Sequence, residues 1–167
     1  MSAAGLGVLA WIAVGPTPSL LGVVYLATAT PWLIETDVLE HRLPNTLVLP
    51  GIAGGAIAST GAWIVAGAPP MVPLLAGPCY AAFLLVLRLV GGMGMGDVKL
   101  GAALGLASWS GTVAVIGPVV AFLVGGSVAA VMVLAGDRDR RIAFGPYLLG
   151  GFWFSVGLVA LSKLVAV

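Results

Sequence analysis

Long apolar runs alternate along the chain with short polar breaks or breaks rich in glycine and proline, and few charges interrupt the runs. Residues 3–14 are apolar but short, and Gly15-Pro16-Thr17-Pro18 ends them. From there the pattern predicts spans over residues 19–34, 46–66, 71–90, 97–109, 112–134 and 144–161, with Pro31 and Pro118 as kink points inside two of them. A helix needs roughly 20 apolar residues to cross a bilayer core about 30 Å thick. Only helices or closed barrels satisfy their backbone polar groups there. The expectation is an all-α polytopic membrane protein with six transmembrane helices plus a short apolar N-terminal segment. Residues 1–18 make up that segment, open between a thin span, an interfacial helix and a re-entrant one. Residues 19–167 form one membrane-embedded domain.

Composition sharpens this picture. Sixty per cent of the residues are apolar and 8% charged, with a mean hydropathy of +1.16, far from the balance of a soluble domain. The lipid bilayer is therefore the first partner, and a net charge of +1 argues against nucleic acid. No basic stretch precedes the first apolar run, so no cleavable signal is expected. The one cysteine, Cys79, excludes an internal disulfide and a zinc site built from several cysteines. It reads as a small buried core residue.

Charge placement adds an orientation. Six alternating crossings put the loops 37–45, 91–97 and 136–142 on one side, and Arg42, Arg88, Lys99, Arg138, Arg140 and Arg141 lie in or beside them. Lys163 falls across the membrane. Because cations concentrate in cytoplasmic loops, the three loops are expected to face the cytoplasm at the cell (inner) membrane. The same partition places Asp37 and Asp97 at one face.

These acids are the candidate chemistry. In Gly92-Met93-Gly94-Met95-Gly96-Asp97-Val98-Lys99 a carboxylate follows backbone nearly free of side chains. If a helix follows, Asp97, Gly101 and Gly105 stack at i, i+4 and i+8, a smooth face that lets a second helix come close, with Asp37 as the candidate partner opposite. Two poorly hydrated carboxylates share a proton. One can then deprotonate a water while the other polarises a peptide carbonyl, with no metal or cofactor required. The glycines Gly94 and Gly96 would offer irregular backbone for a substrate strand. Other readings stay open: Asp97 as the N-cap of its helix, Asp37 as an interfacial acid, Asn45 as a cap after Pro44, His41 as a solvated loop residue, Glu35 and Glu40 as interface charge, and the arginine cluster as an anchor.

Three stretches together resemble the type IV prepilin peptidase family, membrane aspartic proteases with a Gly-x-Gly-Asp motif. Gly94-Met95-Gly96-Asp97-Val98-Lys99-Leu100 resembles the segment around the second catalytic aspartate, Asp37 with Arg42-Leu43-Pro44-Asn45 that around the first, and Phe144-Gly145-Pro146-Tyr147 the opening of the last helix. The resemblance implies that Asp37 and Asp97 are the catalytic pair and that Gly94, Gly96, Lys99, Pro44 and Asn45 position substrate or backbone. It also implies that the substrate is a prepilin-like membrane protein, cut after a short basic leader at the cytoplasmic face. The paired Cys-x-x-Cys motifs of longer, methylating members have no match here, so the chain looks like the short, peptidase-only form. Two rivals remain: a presenilin-like intramembrane aspartic protease with other substrates, and a small proton-coupled transporter or assembly factor.

Overall fold

The computed structural model describes residues 2–90, 93–135 and 142–166, and among them every element is a helix. In chain order these are α1 (Ala3–Val14), α2 (Leu20–Glu40), α3 (Asn45–Ala66), α4 (Met71–Leu89), α5 (Met95–Ala107), α6 (Gly111–Leu134) and α7 (Gly145–Val165). The all-helical class follows from the apolar runs. Of the six expected crossings, four helices, α3, α4, α6 and α7, are long and apolar enough to span by length and composition. The other two differ for identifiable reasons. α2 has 21 residues but carries Glu35, Asp37 and Glu40 in its final turns, and α5 has only 13, about 20 Å at 1.5 Å per residue. Arg138, Arg140, Arg141 and Gly92 lie outside the described residues.

α1 is a helix of 12 residues whose Leu6, Ala10, Ala13 and Val14 are buried, packed against α2 and α7. It stops at Gly15, whose φ of 75° suits a residue without a Cβ. α5 sits innermost, buried along most of its length and in contact with α2, α3, α4 and α7. Its Gly101 and Gly105 do form one face, but that face lies on α4. A Cβ at Gly105 would come within 2.5 Å of the Ala76 carbonyl oxygen, and one at Gly101 would strike Leu84. The glycine stripe thus seats α5 on α4, which carries no acid, and Asp37 reaches Asp97 from another side. Leu106 of α5 wedges between α3 and α4, leaving no room for a side chain at Gly55 of α3 or Gly77 of α4. Small residues substitute here for the hydrophobic drive that lipid removes.

Prolines inside these helices leave carbonyls without a donor. Pro118 deprives Ala114 of its usual amide four residues on, and the Tyr80 hydroxyl of α4 donates to that carbonyl instead. The Trp153 indole of α7 donates to Thr30 Oγ1 of α2 at 2.9 Å, both buried. Outside, large apolar side chains such as Ile64, Val65 and Leu134 are exposed, as a lipid-facing surface requires. Cys79 is exposed on the same kind of surface, against the expectation of a core position. Its place on α4 turns away from the α5 face, where Ala76, Gly77 and Leu84 are buried.

Candidate active site

The C-terminal end of α2 and the N-terminal ends of α3, α5 and α7 converge at one end of the bundle. The apolar run predicted to stop at residue 34 continues as helix to Glu40, so Asp37 stands on the last turns of α2 and not in a loop. Its α2 closes at His41, a left-handed residue (φ 51°) whose N–H donates to the Asp37 carbonyl, a conformation that histidine tolerates better than most side chains. Residues 42–44 then return the chain to α3, with Pro44 at its N-cap position and no side-chain cap. Asn45 is therefore not a cap. Its Oδ1 accepts a hydrogen bond of 2.9 Å from Lys99 Nζ, which ties α3 to α5 at the mouth of the site.

Asp97 is the third residue of α5, and Gly94 holds the N-cap position. The N-cap reading of Asp97 therefore shifts by three residues: its Oδ2 accepts the Gly94 N–H at 3.2 Å, capping the helix from inside the first turn. Gly94 is extended, as a substrate-pairing residue would be, but Gly96 is already helical. A Cβ on Gly96 would lie 2.8 Å from Leu43 Cβ, so the loop between α2 and α3 packs directly on this glycine.

Asp37 and Asp97 are 5% and 8% exposed and both line a cavity of about 340 Å³ together with His41, Arg42, Leu43, Asn45, Gly94, Met95, Gly96 and Lys99. Asp37 Oδ2 accepts the Gly145 N–H of α7 at 2.8 Å in a buried hydrogen bond. Asp97 Oδ1 is buried and, among the described residues, has no hydrogen-bond partner. Neither acid lies on one of the four long apolar helices. Burial pushes the Asp97 carboxyl up to about 6, with the charge of Asp37 adding to it and the Gly94 amide opposing. Burial also raises Asp37, while the Gly145 amide and the charge of His41 hold it down. One acid near neutrality beside another that is better solvated by donors is the arrangement of a pair sharing one proton.

The expected positioning residues are thus all at the cavity except Pro44, which shapes the turn leading into α3. Gly145, Arg42 and His41 belong to the site although they were not singled out for it. Gly145 was legible in part, as a glycine between Phe144 and Pro146 at a helix start, a place where close approach to a neighbour excludes a side chain. Arg42 and His41 carried no signal that separated them from solvated loop charge.

No curated protein and no solved structure matches the chain. Residues 20–135, which include both acids and end before α7, match the type IV leader peptidase family. A helical membrane protein with two buried, coupled aspartates at one end of its bundle and this match over more than half its length belongs to the type IV leader peptidase family.

Proposed function

We propose that the chain is an aspartic endopeptidase that removes the short basic leader of prepilin-like membrane proteins at the cytoplasmic face, with Asp37 and Asp97 as its catalytic pair and no cofactor. The observation that carries this reading is the buried Asp97 Oδ1, without a partner among the described residues, on a residue that lines the same cavity as Asp37. A buried carboxyl oxygen left without a donor is costly, unless it holds a proton or awaits a water or substrate. A water between the acids would lose a proton to the ionised member as its oxygen attacks the scissile carbonyl. The protonated member would give its proton to the carbonyl oxygen.

Arg42 and Lys99 at this end, with Lys163 in the last turn of α7, support a cytoplasmic orientation. A substrate whose apolar helix lies in the bilayer with its leader just inside would then present the bond to be cut at the level of the two acids. Lys99, Asn45 and Gly94 at the rim are the residues we assign to substrate positioning. A proton-coupled transporter would need polar groups continuing away from the pair. Thr30, Ser59, Ser108 and Ser155, the other buried polar residues among those described, each donate to a helix carbonyl three or four residues earlier, which favours hydrolysis. The test is cleavage of a leader-bearing precursor in membranes. Asp37→Asn and Asp97→Asn are each expected to abolish it, while the proteins insert and fold. Normal cleavage by either variant would sink the pair.

A further inference from the structure

We infer that Gly145, through its backbone N–H, is the residue that makes Asp37 the water-activating base and leaves Asp97 as the proton donor. This rests on the two-aspartate reading above. The first amides of a helix have no intrahelical acceptor, and in α7 their fates differ. Pro146 has no N–H, and the Tyr147 and Leu148 amides both bond back to the Phe144 carbonyl. The Gly145 amide alone in this turn points at a carboxylate, donating 2.8 Å to Asp37 Oδ2 in a buried setting. Helix N-termini and buried N–H donors favour the anion.

The approach leaves no space for a side chain. A Cβ at position 145 would stand 2.7 Å from Asp37 Oδ2 and 3.2 Å from its Cγ. By contrast, among the described residues Asp97 receives only the longer Gly94 bond of 3.2 Å from its own helix, and its Oδ1 has no donor. An oxygen with no donor is where a proton is best accommodated. Its titration at about 6 agrees.

The chemistry then balances without a further reactant. Water transfers a proton to Asp37 as its oxygen bonds to the carbonyl carbon, and Asp97 passes its proton to the carbonyl oxygen. Asp37 next delivers its proton to the leaving nitrogen as the C–N bond breaks. Asp97 recovers a proton from one hydroxyl of the tetrahedral centre, and the carboxylic acid product forms. The charged groups lining the cavity with Asp37 are Asp97, His41, Arg42 and Lys99; the His41 N–H donates to the Asp37 backbone carbonyl, whereas the Gly145 N–H donates to its carboxylate.

The full chain, purified in detergent, is assayed on a synthetic precursor with a short basic leader joined to an apolar helix, across pH, in Gly145→Ala and in Gly150→Ala. Among the described residues a Cβ at Gly150 meets nothing within 4 Å. Gly145→Ala is expected to lower kcat on the order of 10²-fold, with KM little changed and the acid limb of kcat/KM moved to higher pH. Gly150→Ala is expected to match the parent protein. An unchanged acid limb in folded Gly145→Ala overturns the inference.

Infrared titration of the carboxyls gives a second measurement that does not depend on folding of Gly145→Ala. The acid left in Asp37→Asn should hold its proton to higher pH than the acid left in Asp97→Asn, and the reverse order overturns the assignment of roles. Normal cleavage by either aspartate variant removes the pair itself. Loss of cleavage in both, with a normal pH profile in Gly145→Ala, removes only the role of Gly145.

Discussion

A buried carboxyl that titrates near neutrality couples proton uptake to folding. The folded-state value of Asp97 lies above its ordinary 3.8, at about 6, so its contribution to stability is complete below pH 3.8 and is lost as pH rises through 6. A difference of that size corresponds to roughly 3 kcal/mol. Asp97→Asn, which carries no charge at any pH, is therefore expected to melt at a higher temperature than the parent protein above pH 6 and near the same temperature at pH 4. Thermal unfolding in detergent at the two pH values checks this. The Asp37 charge is one cause of the raised value, so removing it has a definite sign. In Asp37→Asn the infrared band of protonated Asp97 is expected to vanish at lower pH than in the parent. Asp97 was legible in the sequence as an acid after glycines, but its hydrogen bond to Gly94 and its unpartnered oxygen depend on where the helix begins, which sequence places only to within a few residues.

At the scale of helices, two contacts decide how α5 and α6 sit. Gly105 rests on the backbone of Ala76 and Gly77, so Gly105→Leu is expected to cost about 1–3 kcal/mol or more and to lower folded yield, whereas Gly157→Ala, where a Cβ meets nothing within 4 Å, should not. The Tyr80 hydroxyl serves the Ala114 carbonyl that Pro118 leaves without an amide. Tyr80→Phe should cost about 1 kcal/mol. In a Pro118→Ala background, where position 118 regains its N–H, the same substitution should cost less, and a double-mutant cycle on melting temperature reads the difference. The glycine stripe at positions 101 and 105 was visible in sequence, yet which neighbour it meets was not. Small residues say that some backbone comes close, and α4 and α2 offer equally apolar surfaces. The end of α2 was also misplaced, because three acids over residues 35–40 look like a loop until a polar cavity is seen to receive one of them.

Taken whole, the molecule is apolar around its waist and polar at the end where α2, α3, α5 and α7 meet. The class of fold was legible, since apolar runs of this length can only be helices in lipid. The number of crossings was less so. α5, with 13 residues and buried inside the bundle, is not among the helices that length and composition alone mark as spans. Cys79, exposed midway along α4, faces the lipid surface, while Arg42 and Asn45 are exposed at the cavity mouth. A membrane-impermeant maleimide is therefore expected to leave Cys79 unmodified in intact bilayers and to label Arg42→Cys or Asn45→Cys in a Cys79→Ala background. Labelling of Cys79 at the same rate would mean that α4 does not cross as its composition indicates.

The amide that reaches Asp37 comes from residue 145, beyond the stretch 20–135 that identifies the family. Both acids thus sit in one part of the polypeptide, and a group that steadies one of them arrives with the final helix. Severing the chain between α6 and α7 should yield two pieces that are inert apart, and their joint expression in one membrane should restore cutting to the extent that the last helix finds its seat against Thr30 and Asp37.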